Sequence, residues 1–373
     1  MFLSILTPTF NRAYILRQCY ESLVRQTNKD FEWIVIDDGS TDNTENLVNE
    51  FIREEKITIQ YIKQENGGKH RAHNAGVCAA QGTLTVCLDS DDALTENMVQ
   101  RAEEVWGNRG QGRFAGILAL RGDFERRKPI CSTIPGKLTS STMFELFHKH
   151  GFSGDTILLF DTGILKQNYF AEFPEENFIP EGSLYAVIDE IAPMILVNEV
   201  WYLCKYLEDG LTAKYHKLLI ENPAGTAYTY YKMLMLSDTI KLKLKYAILT
   251  NAYKKLTNRK LKLDFSKKKL LLILTYLPSI VYRKRVVNRD NKLYLADGEK
   301  KITTKMDLKD YMRCDKYAMG ITRKFPRIFD SVWLFLIVLR KHEYYENRLH
   351  QPSPSKILYV FHLLYKLLHL HYG

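Results

Sequence analysis

Apolar and polar positions along the start of the chain alternate between two periods. Phe2 to Leu6 is a short apolar run bounded by polar residues and reads as a strand, after which Ile15, Leu16, Cys19, Leu23 and Val24 recur at helical spacing. The pattern repeats. Trp33 to Ile36 is a second apolar run, followed by a helical pattern carrying Leu47, Val48 and Phe51; Ile57 to Ile62 is a third, followed by a small-residue helix through Ala80; Leu84 to Leu88 is a fourth. Such an alternation predicts an α/β fold with a mostly parallel sheet and helices on both faces. Ligands of these sheets bind beyond the carboxyl ends of the strands. Each apolar run here ends in a polar loop, and all these loops are expected at that one edge.

The loop after the fourth run holds Asp89, Asp91 and Asp92. Mg²⁺ and Mn²⁺ prefer oxygen ligands and are commonly held by one or two carboxylates, with substrate phosphates and waters completing the shell. Asp89 and Asp91 are two apart at a strand's end and are expected to start on one side of it. A plainer reading competes, in which the cluster caps a helix beginning near Thr95 with Glu96 in its first turn.

Taken together, Thr7-Pro8-Thr9-Phe10-Asn11-Arg12, Asp37-Asp38-Gly39-Ser40-Thr41-Asp42, Asn66-Gly67-Gly68-Lys69 and Asp89-Ser90-Asp91-Asp92 resemble, in order and distance, the inverting GT-A glycosyltransferases of family 2, of the bacterial surface-polysaccharide type. The likeness continues more loosely through Gly154-Asp155, Phe178 to Ser183 and Tyr206 to Thr212, and so covers roughly residues 1–285. It implies a GT-A domain that moves a sugar from a UDP-sugar to a saccharide or lipid-linked oligosaccharide acceptor, with inversion, in capsule, exopolysaccharide or O-antigen assembly. Pro8, Thr9, Phe10 and Arg12 would surround the base and ribose, and Asp38 would accept a hydrogen bond from uracil. Asn66, Lys69 and Ser90 would complete the nucleotide-sugar site, with Asp89 on the ribose or the metal and Asp91 coordinating Mn²⁺ or Mg²⁺ directly.

Each assignment has an ordinary counterpart. Asp38 could instead be an Asx-turn acceptor, a part that suits its neighbour Asp37 better. Lys69, beside two glycines that let the backbone approach an anion, could neutralise phosphate or be a plain loop lysine. His70 and His73 read as polar residues of a helix start, and Asp92 as support for its loop or for the sugar hydroxyls. Direct displacement also requires a base for the acceptor hydroxyl. Glu181, in the turn Ile179-Pro180-Glu181-Gly182 before a helix-like stretch from Leu184 to Ile191, is the choice; its alternative is a helix-capping glutamate. Asp155 is the second choice. Glu208-Asp209-Gly210-Leu211-Thr212 resembles a loop that folds over the diphosphate, and His216 is the nearest histidine to it.

Composition adds a second layer. The chain has 373 residues, 46% of them hydrophobic, enough for one large domain and an appendage. Cys19, Cys78, Cys87, Cys131, Cys204 and Cys314 lack metal-type spacing, and Cys19, Cys78 and Cys87 sit on segments expected to be buried, which fits free thiols in a cytoplasm. Because the first strand starts at once, no signal peptide is expected, and the apolar stretch Val332 to Leu339 is far short of the roughly 20 residues of a membrane span. The formal charge is +10, and from Lys241 to Leu272 eleven Lys and Arg face one acidic residue, Asp264. A solvated helical face, a nucleic-acid surface and a segment resting on an anionic membrane all fit such a stretch. With no nucleic-acid fold signature, peripheral contact with the inner face of the plasma membrane is expected.

The expected organisation is a GT-A domain over 1–214, a basic amphipathic helical extension over 215–287, a linker over 288–305 and a helical segment over 306–373. The last resembles, through Leu339-Arg340-Lys341-His342-Glu343-Tyr344-Tyr345, the leading helices of serine-acetyltransferase-like proteins, without the hexapeptide repeats of an acetyl-transfer site. A helical cap or oligomerisation element is the simpler expectation for it. Two other functions stay open: a catalytically silent GT-A module that binds nucleotide or glycan, and a sugar nucleotidyltransferase. The second would begin with a glycine-rich phosphate loop, and Leu6 to Arg12 has no glycine.

Overall fold

The computed structural model of the chain describes residues 1–205, 214–257, 261, 263–264 and 268–283. The chain divides into two compact units, the first Met1–Leu236 and the second beginning at Ser237. The turn from Glu208 to Thr212, the linker over 288–305, the segment over 306–373 and Cys314 lie outside the described residues.

The first unit opens as the periodicity predicts: β1 (Leu3–Thr9), α1 (Ala13–Val24), β2 (Phe31–Asp37), α2 (Thr44–Arg53), β3 (Thr58–Lys63), α3 (Lys69–Ala79) and β4 (Leu84–Cys87). β1 pairs in parallel with β2 and β4, and β2 with β3. β1 and β2 are buried nearly throughout because both of their faces are covered. Leu3, Ile5, Trp33 and Val35 join a core with Leu16, Cys19 and Leu23 of α1 and Val48 and Phe51 of α2. Leu6, Ile34 and Ile36 join a second core with Ala72 and Val77 of α3.

Beyond β4 the sheet is mixed. It continues through β5 (Ala93–Leu94), α4 (Met98–Gly107), β6 (Gly116–Asp123), β7 (Ser140–Ser141), α5 (Met143–His148), β8 (Thr156–Asp161), α6 (Thr162–Leu165), α7 (Gly182–Asp189) and β9 (Met194–Cys204). The strand order is β3-β2-β1-β4-β8-β6-β9-β5, with β7 on β9. β8 runs antiparallel to both β4 and β6, whereas β6 and β9 are parallel. α8 (Tyr215–Glu221) and α9 (Pro223–Leu236) close the unit.

Two local expectations are corrected here. The helix expected near Thr95 begins at Met98, because Ala93 and Leu94 pair with Leu203 and Tyr202 and the Thr95 amide donates to the Trp201 carbonyl at 3.0 Å, holding the chain extended. Glu96 therefore binds Arg127 (2.6 Å) instead of sitting in a first helical turn. Cys78, expected to be buried, is exposed, while Cys19 is buried and Cys87 intermediate; Cys19, Cys78, Cys87, Cys131 and Cys204 are free thiols.

In the second unit, α10 (Ile240–Lys254) starts at Thr239, whose hydroxyl accepts from the Leu242 amide, a regular N-cap. α11 (Lys269–Leu274) follows. The basic stretch is thus helical in part, and Lys245 is set over the Tyr246 ring at 5.2 Å. No helix among the described residues is long and apolar enough to cross a membrane.

Candidate active site

The loops that leave β1 and β2 are stitched to each other. Asn11, in a left-handed conformation (φ 53°), accepts from the Thr41 amide at 2.8 Å through its side chain, and its own amide donates to the Ser40 hydroxyl at 2.9 Å. Asp37 accepts from the Ser40 amide (2.7 Å), the turn role expected of it, and from the Tyr61 hydroxyl (2.5 Å). Asp38 acts further away: its carboxylate accepts from the Gly67 and Gly68 amides at 3.0 and 2.7 Å and from the Gln64 side chain at 2.7 Å. Asn66 adds a bond to the Asp38 carbonyl at 2.9 Å. One buried carboxylate thus fixes the loop that presents Lys69.

Gly68 is where that loop meets the later part of the unit. Its φ is +93°, and a Cβ built there would lie 1.8 Å from the Asn177 carbonyl oxygen, so only glycine fits. The segment it touches is held firmly. Arg71 donates to the Phe173 carbonyl (2.9 Å), Asn74 exchanges hydrogen bonds with Phe170 (3.0 and 2.9 Å), and Asn222 accepts from the Asn177 and Phe178 amides (3.0 and 3.2 Å). Glu176 accepts from the Ala224 and Gly225 amides at the start of α9 (2.7 and 2.8 Å), a favourable place for an anion. These contacts carry the chain to Glu181.

Glu181 is the residue before α7 and makes no side-chain cap hydrogen bond, so the capping alternative does not describe it. The helix it precedes runs over Gly182–Asp189, slightly ahead of the stretch expected from Leu184 to Ile191. One oxygen of Glu181 is 3.0 Å from the Lys69 ammonium, and the other accepts from the Tyr185 hydroxyl at 3.0 Å. Lys69 is also 2.7 Å from Asp89. A single ammonium thus joins the third loop, the acidic cluster and Glu181. Lys69 lowers the Glu181 pKa against the partial desolvation of this half-exposed carboxylate. Burial works against the charge on Lys69 itself, but Asp89 and Glu181 outweigh it and raise its pKa well above the ordinary value.

The acidic cluster leaves the sheet earlier than expected. β4 ends at Cys87, so Asp89 and Asp91 lie on the loop and strand alternation does not orient them. Burial disfavours the charged form of Asp89, but Lys69 and Arg121 prevail and its pKa is lowered. Burial and the Asp89 charge raise that of Asp91. Asp92, buried further, is pushed up to about 7 by burial and then by Asp89. Its Oδ2 accepts from the Tyr202 hydroxyl at 2.7 Å, while the Asp89 amide donates to the same hydroxyl oxygen at 3.1 Å. Asp92 therefore supports the loop through β9. No cluster of three or more His, Cys, Asp or Glu forms a ready metal cage among the described residues. A pair of carboxylates, one of them with its pKa raised by burial and then by its neighbour's charge, suits a hard cation that shares its shell with phosphate oxygens.

Lys69, the acidic cluster, Arg121, Glu181 and Tyr185 face one cavity of about 1070 Å³. Pro8, Thr9, Phe10 and Arg12 line it from the first loop, and Asp38, Asn66 and Lys69 from the second and third. Asp89, Ser90 and Asp91 line it from the fourth, joined by Glu181 and the exposed Asp155. His216, by contrast, does not line the cavity, although Tyr215 and Leu218 of the same helix do.

Several lining residues escaped the sequence reading. Arg121 of β6 lies over the Tyr202 ring at 4.2 Å and donates to the Thr156 carbonyl, adding buried positive charge beside Asp89. Its only signal was a lone arginine in an apolar strand. His70 and His73 lie in the first turns of α3, as expected, but both are buried, with Nδ1 atoms that have no hydrogen-bond partner. Burial, then Lys69, lowers His73 to about 4, so it is neutral at pH 7. Tyr215 and Phe178 bring aromatic rings to the same cavity.

Residues 4–168 match the family described as Glycosyl transferase family 2. The chain is similar to the glycosyltransferase GlyG of Streptococcus pneumoniae serotype 4, with 35% identity over 99 residues, which are 26% of this chain and 33% of that protein. It spans about a third of the length of the first curated relatives it matches. Among solved structures it is similar to S. aureus TarS 1-349, with a TM-score of 0.51 and 15% identity over 88% of this chain and 95% of that one. The same fragment in complex with UDP gives a TM-score of 0.50 at 16% identity, over the same shares. The likeness to TarS is one of fold: a GT-A-like α/β domain followed by helices.

Proposed function

We propose that this chain, whose residues 4–168 match the family described as Glycosyl transferase family 2, transfers a sugar from a UDP-sugar to a saccharide acceptor with inversion at the anomeric carbon. The observation that carries the reading is the convergence of four strand-end loops on one cavity, where Lys69 bridges Asp89 and Glu181.

In this reading Phe10 and its neighbours Pro8, Thr9 and Arg12 receive the base and ribose, with Asp38, Asn66 and Ser90 completing the nucleotide-sugar site. The TarS fragment holds UDP in its crystals, and uracil is the base proposed here. Asp89 and Asp91 would hold Mn²⁺ or Mg²⁺, which when bound supplies positive charge against the departing diphosphate. Lys69 adds its own charge there. Glu181, ionised and oriented by Lys69 and Tyr185, accepts the proton of the acceptor hydroxyl. The hydroxyl oxygen then bonds to the anomeric carbon as the bond to the diphosphate breaks, and the nucleoside diphosphate leaves. Asp155, at the exposed rim, would contact a sugar.

The acceptor would be a lipid-linked oligosaccharide of capsule, exopolysaccharide or O-antigen assembly, reached from the inner face of the plasma membrane. The basic helical stretch after the transferase core supports this, because lysines near an anionic surface contribute about 1 kcal/mol each. We retain the division into a transferase domain over 1–214, a basic extension over 215–287, a linker over 288–305 and a helical segment over 306–373. A panel of nucleotide sugars, screened for hydrolysis with and without Mn²⁺, tests the reading. One UDP-sugar should be turned over in a metal-dependent way, and Asp91→Ala should abolish it. Equal binding and hydrolysis with and without the ion would refute the mechanism.

A further inference from the structure

Three large apolar side chains that line the cavity are exposed: Phe10 at 46%, Phe147 at 38% and Tyr215 at 41%. Phe10 belongs to the first loop, on the proposed nucleotide side. Tyr215 is different, because its surroundings tie it to Glu181.

Tyr215 opens α8, and its ring meets Phe178 edge-on, with centroids 6.0 Å apart at 86°. Phe178 is three residues before Glu181 on the same segment. The Asn222 side chain, at the other end of α8, accepts from the Asn177 and Phe178 amides and donates to the Leu218 carbonyl at 2.9 Å. One asparagine therefore locks the helix bearing Tyr215 to the strip bearing Phe178 and Glu181. The Glu181 charge is felt at Tyr215: partial desolvation of the half-exposed phenol, then that charge, pushes it up to about 12, so the ring stays neutral. Glu181 itself is held on both oxygens, by Lys69 and Tyr185. The wall beside the base is thus a rigid, neutral, exposed aromatic face.

A pyranose has a matching shape, with one face of C–H groups and a rim of hydroxyls. An aromatic ring pays little rotamer entropy to cover such a face and attracts its C–H groups. We propose that Tyr215, backed by Phe178, is the platform on which the acceptor pyranose stacks, so that its attacking hydroxyl points at Glu181. The inference rests on the proposed glycosyl transfer and deepens it. It assigns the acceptor subsite to the α8 side of the cavity and its ligand to sugars presenting an unbroken C–H face.

The test uses methyl pyranosides as probes. With the full chain loaded with UDP and diamagnetic Mg²⁺, saturation-transfer NMR should show the strongest transfer to ring C–H protons of one pyranoside face, and Tyr215→Ala should weaken that pyranoside's Kd about tenfold, the effect of an aromatic contact. Tyr215→Phe should bind as the unaltered protein does. Hydrolysis of the UDP-sugar without acceptor should change less than twofold in both variants, which separates lost stacking from misfolding. Undiminished pyranoside binding in Tyr215→Ala, or no pyranoside binding at all, overturns the subsite. So does a parallel loss of donor hydrolysis in Tyr215→Ala. If no nucleotide sugar is hydrolysed yet pyranosides still mark the Tyr215 face, the subsite stands and the reaction assigned above falls.

Discussion

Replacing Glu181 by glutamine separates chemistry from architecture. The amide has the shape of the carboxylate and can keep one of its two hydrogen bonds, to Lys69 or to Tyr185, each 3.0 Å long in the structure. What it loses is a negative charge beside Lys69 and the ability to take a proton. The Glu181 side chain is 48% exposed, so solvent screens the lost ion pair, and Lys69 keeps Asp89 at 2.7 Å. The expected stability change is about 1 kcal/mol or less. Loss of a general base lowers turnover about 10²-fold to 10⁴-fold, or ~3–5 kcal/mol in the barrier. The two effects therefore differ enough to be told apart. We expect UDP release in the presence of acceptor to fall by about 10² or more. Calorimetric affinity for the UDP-sugar should stay within about threefold, because the amide leaves Asp89, Asp91 and the nucleotide loops intact. Turnover that survives in Glu181→Gln would refute the assignment and move the role to Asp155. A matched loss of donor affinity and melting temperature would show that Glu181 only builds the site.

Two further outcomes follow from the geometry around Lys69. Gly68→Ala forces a Cβ to within 1.8 Å of the Asn177 carbonyl oxygen at a backbone angle of φ +93°; we expect a loss of roughly 2–4 kcal/mol in urea unfolding together with weaker donor binding, and an unchanged midpoint would contradict the packing described. His73 is buried and its pKa is depressed from 6.5 to about 4, so the unfolded chain binds the proton more tightly. Its contribution is complete above about pH 6.5 and is lost as the pH falls toward 4, up to about 3 kcal/mol. Denaturation curves across this window should flatten in His73→Phe, and identical slopes for the two proteins would argue against a neutral buried imidazole.

The first half of the sheet was legible because its causes are local. Apolar runs buried on both faces specify parallel strands such as β1 and β2, and helical spacing specifies α1 and α2, with each residue judged against its near neighbours. The loops that end those strands carry the acidic cluster and the glycines, so the candidate residues could be named from composition and position. Their partners could not. The Lys69–Glu181 bond joins residues 112 positions apart, and the Tyr202–Asp92 bond residues 110 apart. No periodicity encodes such contacts, because they arise only where the chain path returns to the same edge. The same limit explains Ala93 and Leu94, whose short strand exists only because β9 lies beside it, and Arg121, whose charge matters only against the Tyr202 ring and near Asp89. By itself, then, the sequence determined which elements form and which chemistry stands at their ends, since short-range sterics and burial govern both. Tertiary structure alone decided which carboxylate is paired, which has its pKa raised and which orients a loop, since charge and desolvation depend on everything that packs nearby.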